Sequence, residues 1–548
     1  MPHSLLLAKI SLLGLLATFL PLFCGVRRGR LWLFVALLGF FALLVTSAMP
    51  TLSGSHGGFA ADLRLLAAGA SVGVALLAAV TWLAWRHPLL AVPAMIVVMP
   101  LRVPVPTGGS YTYLLVPLYI VTLAVAIAEF GVRDRLRLYE WFRRDPTRVA
   151  LAVVVAVAGV AALWTGLSYA PGATAYAAAL VEMFAFYLPF AVIYYLVYRY
   201  VRAPADLRRL VLTIVCWGAI LALVGLVQYG THTVLFNSAK ILHEYDLGHG
   251  FRVNALFWDP NMFGRFLVVV IIVALAAALA PLAWRWRAAL LAAAALAATA
   301  LFVTHSRSAL VALGAAVVLF ELLWLGKKRG VAAALVTAVL FAAGLYAFEY
   351  QRQQLEFSTM VRTTYGWNKL TGGRVYLIDS GWKMFKKHPA GGVGLAGFPL
   401  AYPEYRQRRA PVGLSENHTT PITVLAEEGL PGIAAYVALL AAYFTTAVRS
   451  AALREDRRLR LLQAGFMAVL LAIIVHSLFY NAFFEDPYMW TVMAMSMALT
   501  FVVARERAGE QGKAPESGRD TLINSPYGPA SARAVLPHRR PAQLHPRR

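Results

Sequence analysis

The chain has 548 residues, 60% of them hydrophobic and only 14% charged, with a mean hydropathy of +0.66. A soluble chain of this length splits into several cores, each needing a charged surface, and about 25% charge is usual. The shortfall excludes soluble, disordered, coiled-coil and collagen classes. The net charge of +24 suggests nucleic acid in a soluble protein, but here the cations fall in short clusters between apolar runs, the pattern of cytoplasmic helix ends. An integral membrane protein remains.

A bilayer crossing takes about 20 mainly apolar residues. In chain order this predicts spans at 4–24, 31–49, 64–85, 88–105, 113–130, 149–168, 178–199, 209–228, 263–283, 288–304, 308–326, 330–348, 421–448, 461–480 and 488–504. The run at 4–24 leads into Arg27 without a strong cleavage signature and reads as a retained span. The expected fold is an all-α polytopic membrane protein with about 12–15 transmembrane helices. Pro93, Pro100, Pro104 and Pro106 make the fourth span re-entrant or broken. Cys24 and Cys216 both lie in apolar runs, so no disulfide framework is implied.

Orientation follows from the basic connections. Those at 27–30, 86–87, 133–148, 199–209, 285–287, 327–329 and 449–460 are expected in the cytoplasm, and the alternate connections outside. The largest outer connection is 349–420. Its ten Lys+Arg against five Asp+Glu do not disturb this topology, because loops beyond about 60 residues are largely exempt from the charge rule. A long ordered loop is usually functional. A helix is expected near 375–387, with Trp382 and Phe385 on one side, broken by the glycines at 391–394. Residues 505–548, with nine Lys+Arg and four Asp+Glu, read as a disordered cytoplasmic tail able to touch anionic lipid.

Three outer segments collect polar residues. The first holds Arg252, then Asp259-Pro260-Asn261, a helix-entry signal in which Asp259 or Asn261 can cap the next span. Nothing local demands a cation at Arg252. The second is Thr304-His305-Ser306-Arg307-Ser308, which sets Arg307 at the membrane edge, either as a functional charge or as a snorkelling one. The third is the long loop, with Arg374, His388 and finally Ser415-Glu416-Asn417-His418-Thr419-Thr420. Arg374 reads equally as a solvated loop cation, whereas a lone loop histidine such as His418 is by itself more often a surface residue. Taken together, guanidinium groups suit a diphosphate, and a neutral imidazole can deprotonate an attacking hydroxyl. The residues permit transfer from a lipid diphosphate donor to an alcohol. There is no Asp-x-Asp pair, His-Glu-x-x-His, cysteine cluster or P-loop, which favours metal-independent chemistry without a cofactor.

In this order the segments resemble the O-antigen ligase and polymerase superfamily of bacterial envelope proteins, over roughly residues 210–480. The matching pieces are Arg252 with Asp259-Pro260-Asn261 and Gly264; Ser306-Arg307; Arg374 with Trp382; Pro389 with Gly392-x-Gly394 and Gly397-Phe398; and His418 followed by Glu427-x-Gly429-Leu430-x-Gly432. The resemblance implies a C-type glycosyltransferase-like fold in the bacterial inner membrane, with its active face periplasmic. It implies a glycan donor on undecaprenyl diphosphate. It also implies a division into N-terminal helices (1–208), a catalytic membrane region (209–504) and the tail. By resemblance His418 activates the acceptor hydroxyl and Arg307 and Arg374 hold the diphosphate, while Arg252, Asn417 and Glu416 are candidates for substrate binding. One departure stands out: family members commonly carry Asn directly after the histidine, whereas here Asn417 precedes it and Thr419 follows.

The expected function is therefore a membrane glycosyltransferase of the ligase type, with a glycan, lipid A core or other hydroxyl acceptor and no nucleic acid. A polysaccharide polymerase or a protein O-oligosaccharyltransferase shares the same motifs. A flippase of lipid-linked sugar is the alternative from another class, but it would show repeated halves and midplane polar residues.

Overall fold

A computed structural model describes residues 75–107, 110–132, 145–168, 179, 182–235, 241–243, 245, 250–353, 374–407, 418–452 and 456–510. The spans at 4–24 and 31–49, Cys24, Glu416, Asn417 and residues 511–548 lie outside them. Helices α1 (Ala75–Arg86) and α2 (Pro88–Val98) come first. A two-stranded hairpin follows, β1 (Val103–Thr107) against β2 (Ser110–Leu114), with Val103 opposite Leu114 and Thr107 opposite Ser110. Next are α3 (Val116–Ala126), α4 (Pro146–Ser168), α5 (Leu188–Tyr200) and α6 (Pro204–Thr231). The second half holds α7 (Pro260–Ala278), α8 (Trp284–Val303), α9 (Arg307–Leu325) and α10 (Lys327–Gln353). It ends with the short α11 (Arg374–Lys387) and α12 (Phe398–Tyr405), then α13 (Thr420–Ala452), α14 (Arg457–Ser477) and α15 (Pro487–Glu510).

The protein is an all-α polytopic membrane protein with one small hairpin. Seven helices among the described residues are long and apolar enough to cross a bilayer: α4, α6, α7, α8, α9, α13 and α14. The span expected at 88–105 is corrected. Its helix stops at Val98, and the chain turns into the hairpin. Proline lacks the N–H and disfavours helix in the residue before it, so Pro100 marks the helix end, while Pro104 and Pro106 are tolerated in a two-stranded edge. The tail also begins later than expected, since α15 continues to Glu510.

Many large apolar side chains face outward, among them Val160, Leu335, Val339 and Leu340, as lipid-facing positions require. Arg86 lies 5.3 Å over the Trp82 ring and Arg285 lies 5.7 Å from the Trp286 ring, the pairing of aromatic and cation found at membrane interfaces. Inside, α7 and α14 are the most buried spans and pack on each other and on α9. Small residues permit the close approach. A Cβ on Gly264 would stand 3.0 Å from Ala309 Cβ and 3.1 Å from Ser306 Cβ, at the turn between α8 and α9.

One buried ion pair ties this centre together. Arg265 Nε lies 2.7 Å from Asp486 Oδ2, each side chain 5% exposed, and Arg265 Nη1 donates to Ala482 O at 3.2 Å. Burial pushes the Asp486 carboxyl above its usual range, against the pull of Arg265. Arg265→Met leaves that carboxylate buried and costs about 3–5 kcal/mol. Because the fold then favours the protonated acid, the loss is smaller at acidic than at alkaline pH. Thermal unfolding in detergent checks this, with Arg265→Met/Asp486→Asn recovering most of the stability.

α13 is broken at Gly429, where φ is +66°. The break faces the segment 388–398 of the long α10–α13 connection. Leu430 N donates to Pro389 O (2.9 Å), Val393 N to Ala426 O (2.8 Å) and Gly394 N to Glu427 O (2.9 Å). The Glu427 carboxylate accepts from Ala396 N (2.9 Å) and from Phe398 N at the start of α12 (3.0 Å). A helix interrupted at membrane depth must have its freed backbone groups satisfied by protein. The α10–α13 connection supplies those partners and is fastened by them.

Candidate active site

Antiparallel succession brings the C-terminal ends of α6, α8, α10 and α14 and the N-terminal ends of α7, α9, α13 and α15 to one end of the bundle. The clusters at 285–287, 327–329 and 457–460 lie at the other end. The three polar segments therefore share a face, as direct contacts show.

Asp259 caps α7, its Oδ1 accepting from Asn261 N at 2.7 Å. Asn261 itself bridges. Its Oδ1 accepts from Arg252 Nη2 (3.0 Å) and from Ser306 Oγ (2.9 Å). Arg252 Nε also donates to Thr304 O at 3.0 Å. Arg252 thus latches the chain before α7 onto the α8–α9 turn, which answers why a cation stands there. The turn itself passes through left-handed His305, φ +52°, and Ser306 caps α9 by accepting from Ala309 N. Arg307 is the first residue of α9, so its charge is set by this cap.

Arg374 opens α11 and is half-buried. Its Nε donates to Phe479 O at 2.9 Å. Burial, and secondly the positive charge of Arg307, hold its pKa below the ordinary guanidinium value. Two cations from separate segments are therefore held close enough to repel. His418 is half-buried, its ring stacked on Tyr480 with centroids 6.2 Å apart and planes at 26°. Thr419 Oγ1 donates to Leu478 O (3.2 Å) and Thr420 Oγ1 to Asn481 Oδ1 (2.8 Å). Arg374 and His418 are thus held by neighbouring residues of one turn.

Sequence reasoning missed His476 and that turn. His476, fully buried near the end of α14, pairs through Nε2 with Ser308 Oγ at 3.2 Å, and its ring lies 5.8 Å from Tyr480. A histidine inside the apolar run 461–480 was the available signal, since ionisable groups in spans are costly. His388, by contrast, contacts Tyr405 Oη at 3.2 Å within the α10–α13 connection. The expected helix at 375–387 is present, with Trp382 and Phe385 rings 5.3 Å apart.

A face with paired guanidinium groups and an adjacent imidazole can bind an anionic diphosphate and take up a hydroxyl proton. Residues 292–437 match the family model described as Wzy_C, O-antigen ligase. Arg307, Arg374 and His418 fall inside the matched stretch, whereas Arg252 and His476 fall outside it. No curated protein matches this chain.

Proposed function

From the premise that the chain, through residues 292–437, is a member of the O-antigen ligase/polymerase superfamily, we propose that it transfers a glycan from an undecaprenyl diphosphate-linked donor to an acceptor hydroxyl at the periplasmic face of the inner membrane. The observation that carries this reading is the turn after α14, where Phe479 O holds Arg374 and the neighbouring Tyr480 ring stacks on His418.

The two guanidinium groups grip oxygens of the diphosphate, where a bidentate fork is better suited than a point charge. The acceptor hydroxyl oxygen attacks the anomeric carbon, and His418 takes its proton. The bond from that carbon to the diphosphate oxygen breaks, and the electron pair leaves with the lipid diphosphate. Negative charge rising on that leaving group is what fixed cations stabilise most. Arg252 acts through the α8–α9 turn, and Glu416 and Asn417 stand next to His418 in sequence as candidates for acceptor contact.

Purified protein given a lipid diphosphate glycan and candidate acceptors is expected to form a new glycosidic linkage and release lipid diphosphate. Movement of the intact lipid across a vesicle membrane without a new linkage would identify a flippase instead and overturn the proposal. A core oligosaccharide acceptor supports a ligase, whereas a second repeat unit supports a polymerase.

A further inference from the structure

The turn after α14 makes four contacts in four consecutive residues, all with the segments that carry the proposed reacting groups. Leu478 O accepts from Thr419, Phe479 O accepts from Arg374, the Tyr480 ring stacks on His418, and Asn481 Oδ1 accepts from Thr420. The first two are carbonyls at a helix C-terminus, where intrahelical partners run out and the helix dipole is negative. A guanidinium is the favoured group there. One helical turn earlier, His476 reaches Ser308, the residue after Arg307, and its ring also lies beside Tyr480. This turn lies outside the matched stretch.

We propose that residues 478–481 are the positioning element of the site: the turn fixes Arg374 against the bundle, and Tyr480, supported by His476, sets the orientation of the His418 imidazole. The inference rests on the reading of Arg374 and His418 as reacting groups. Covering a helix end needs only some donor. Here the donors come from two distant segments, and the aromatic ring between them meets the one imidazole of the 418–420 stretch. Without the ring, His418 gains rotational freedom, and a misplacement of about 1 Å can lower a rate about 100-fold.

The test uses the full-length protein in lipid nanodiscs with Tyr480→Ala, Tyr480→Phe and Asn481→Ala. For Tyr480→Ala, kcat for transfer is expected to fall about 100-fold while KM for the donor stays within about threefold, as expected when geometry rather than uniform binding is lost. Tyr480→Phe keeps the stacked ring and is expected to restore kcat. Asn481→Ala removes one hydrogen bond and is expected to lower kcat about fivefold, a milder variant should Tyr480→Ala fail to fold. Independently, carbethoxylation of His418, read by mass spectrometry, is expected to speed up in Tyr480→Ala and Asn481→Ala and to stay at the parent rate in Tyr480→Phe. Unchanged labelling and kcat in both alanine variants, a rise in KM alone, or no rescue by phenylalanine would overturn the positioning role. A parent protein that transfers no glycan would overturn the proposed function, and the labelling would still decide the positioning.

Discussion

Arg374→Ala is expected to lower the rate of glycan transfer by about 100- to 1,000-fold, with the helices still folded. The guanidinium is anchored to Phe479 O through Nε, and its planar fork is the donor set suited to a phosphate. Burial first, and then repulsion from the positive charge of Arg307, lower the proton affinity of Arg374. A diphosphate entering between them relieves that repulsion, and the relief grows as charge accumulates on the leaving oxygen. Arg374→Lys keeps the charge but not the planar fork, and is expected to recover only a minor part of the rate. His418→Ala is expected to fall by a similar factor, about 100- to 10,000-fold. The double variant should fall much less than the product of the two, because groups that act as one unit are not additive. Initial rates at saturating donor test the set. Arg374→Ala with parental kcat would remove the arginine from the proposed chemistry.

A large structural effect is also expected at Gly392. Its φ is +63°, and a Cβ there would stand 2.3 Å from the Glu427 carbonyl carbon and 2.4 Å from its oxygen. Those atoms belong to backbone and cannot rotate away. Strain in the left-handed region and the overlap together place Gly392→Ala at about 2–5 kcal/mol. The loss should appear as detachment of the α10–α13 connection, seen as faster proteolysis between α11 and α13 while the membrane helices stay protected. Gly250→Ala is the matched control. It shares a positive φ, +74°, but has nothing within 4 Å, so it should show only the strain, about 1 kcal/mol.

How far these features were legible in the sequence depended on where their causes lie. Apolar length is local, so the spans of the second half and the face shared by 252–261, 304–308 and 374–420 could be read directly. Asp259-Pro260 announced the start of α7 for the same reason. The hairpin at 103–114 was obscured, since Val103 and Leu114 continue the apolar runs on either side and only the prolines mark the change. The break in α13 had its signal in Glu427-Glu428-Gly429-Leu430-Pro431, but an apolar run on both sides reads as one helix. Arg265 and Asp486 find each other only in three dimensions. The turn at 478–481 left the least trace, because two of its four contacts use main-chain carbonyls, which every residue has. The contact of His418 with Tyr480, in the turn after α14, likewise forms only in three dimensions.

The notch at Gly429 has a bearing on how such a protein can diversify. Its seam with the long α10–α13 loop consists of amide and carbonyl groups, one carboxylate, and glycines that leave room for the approach. Such a seam recognises outline and spacing, and is indifferent to most side chains around it. Lineages can therefore rewrite the solvent-facing surface of the loop, and with it the molecules that surface meets, while the fastening stays the same.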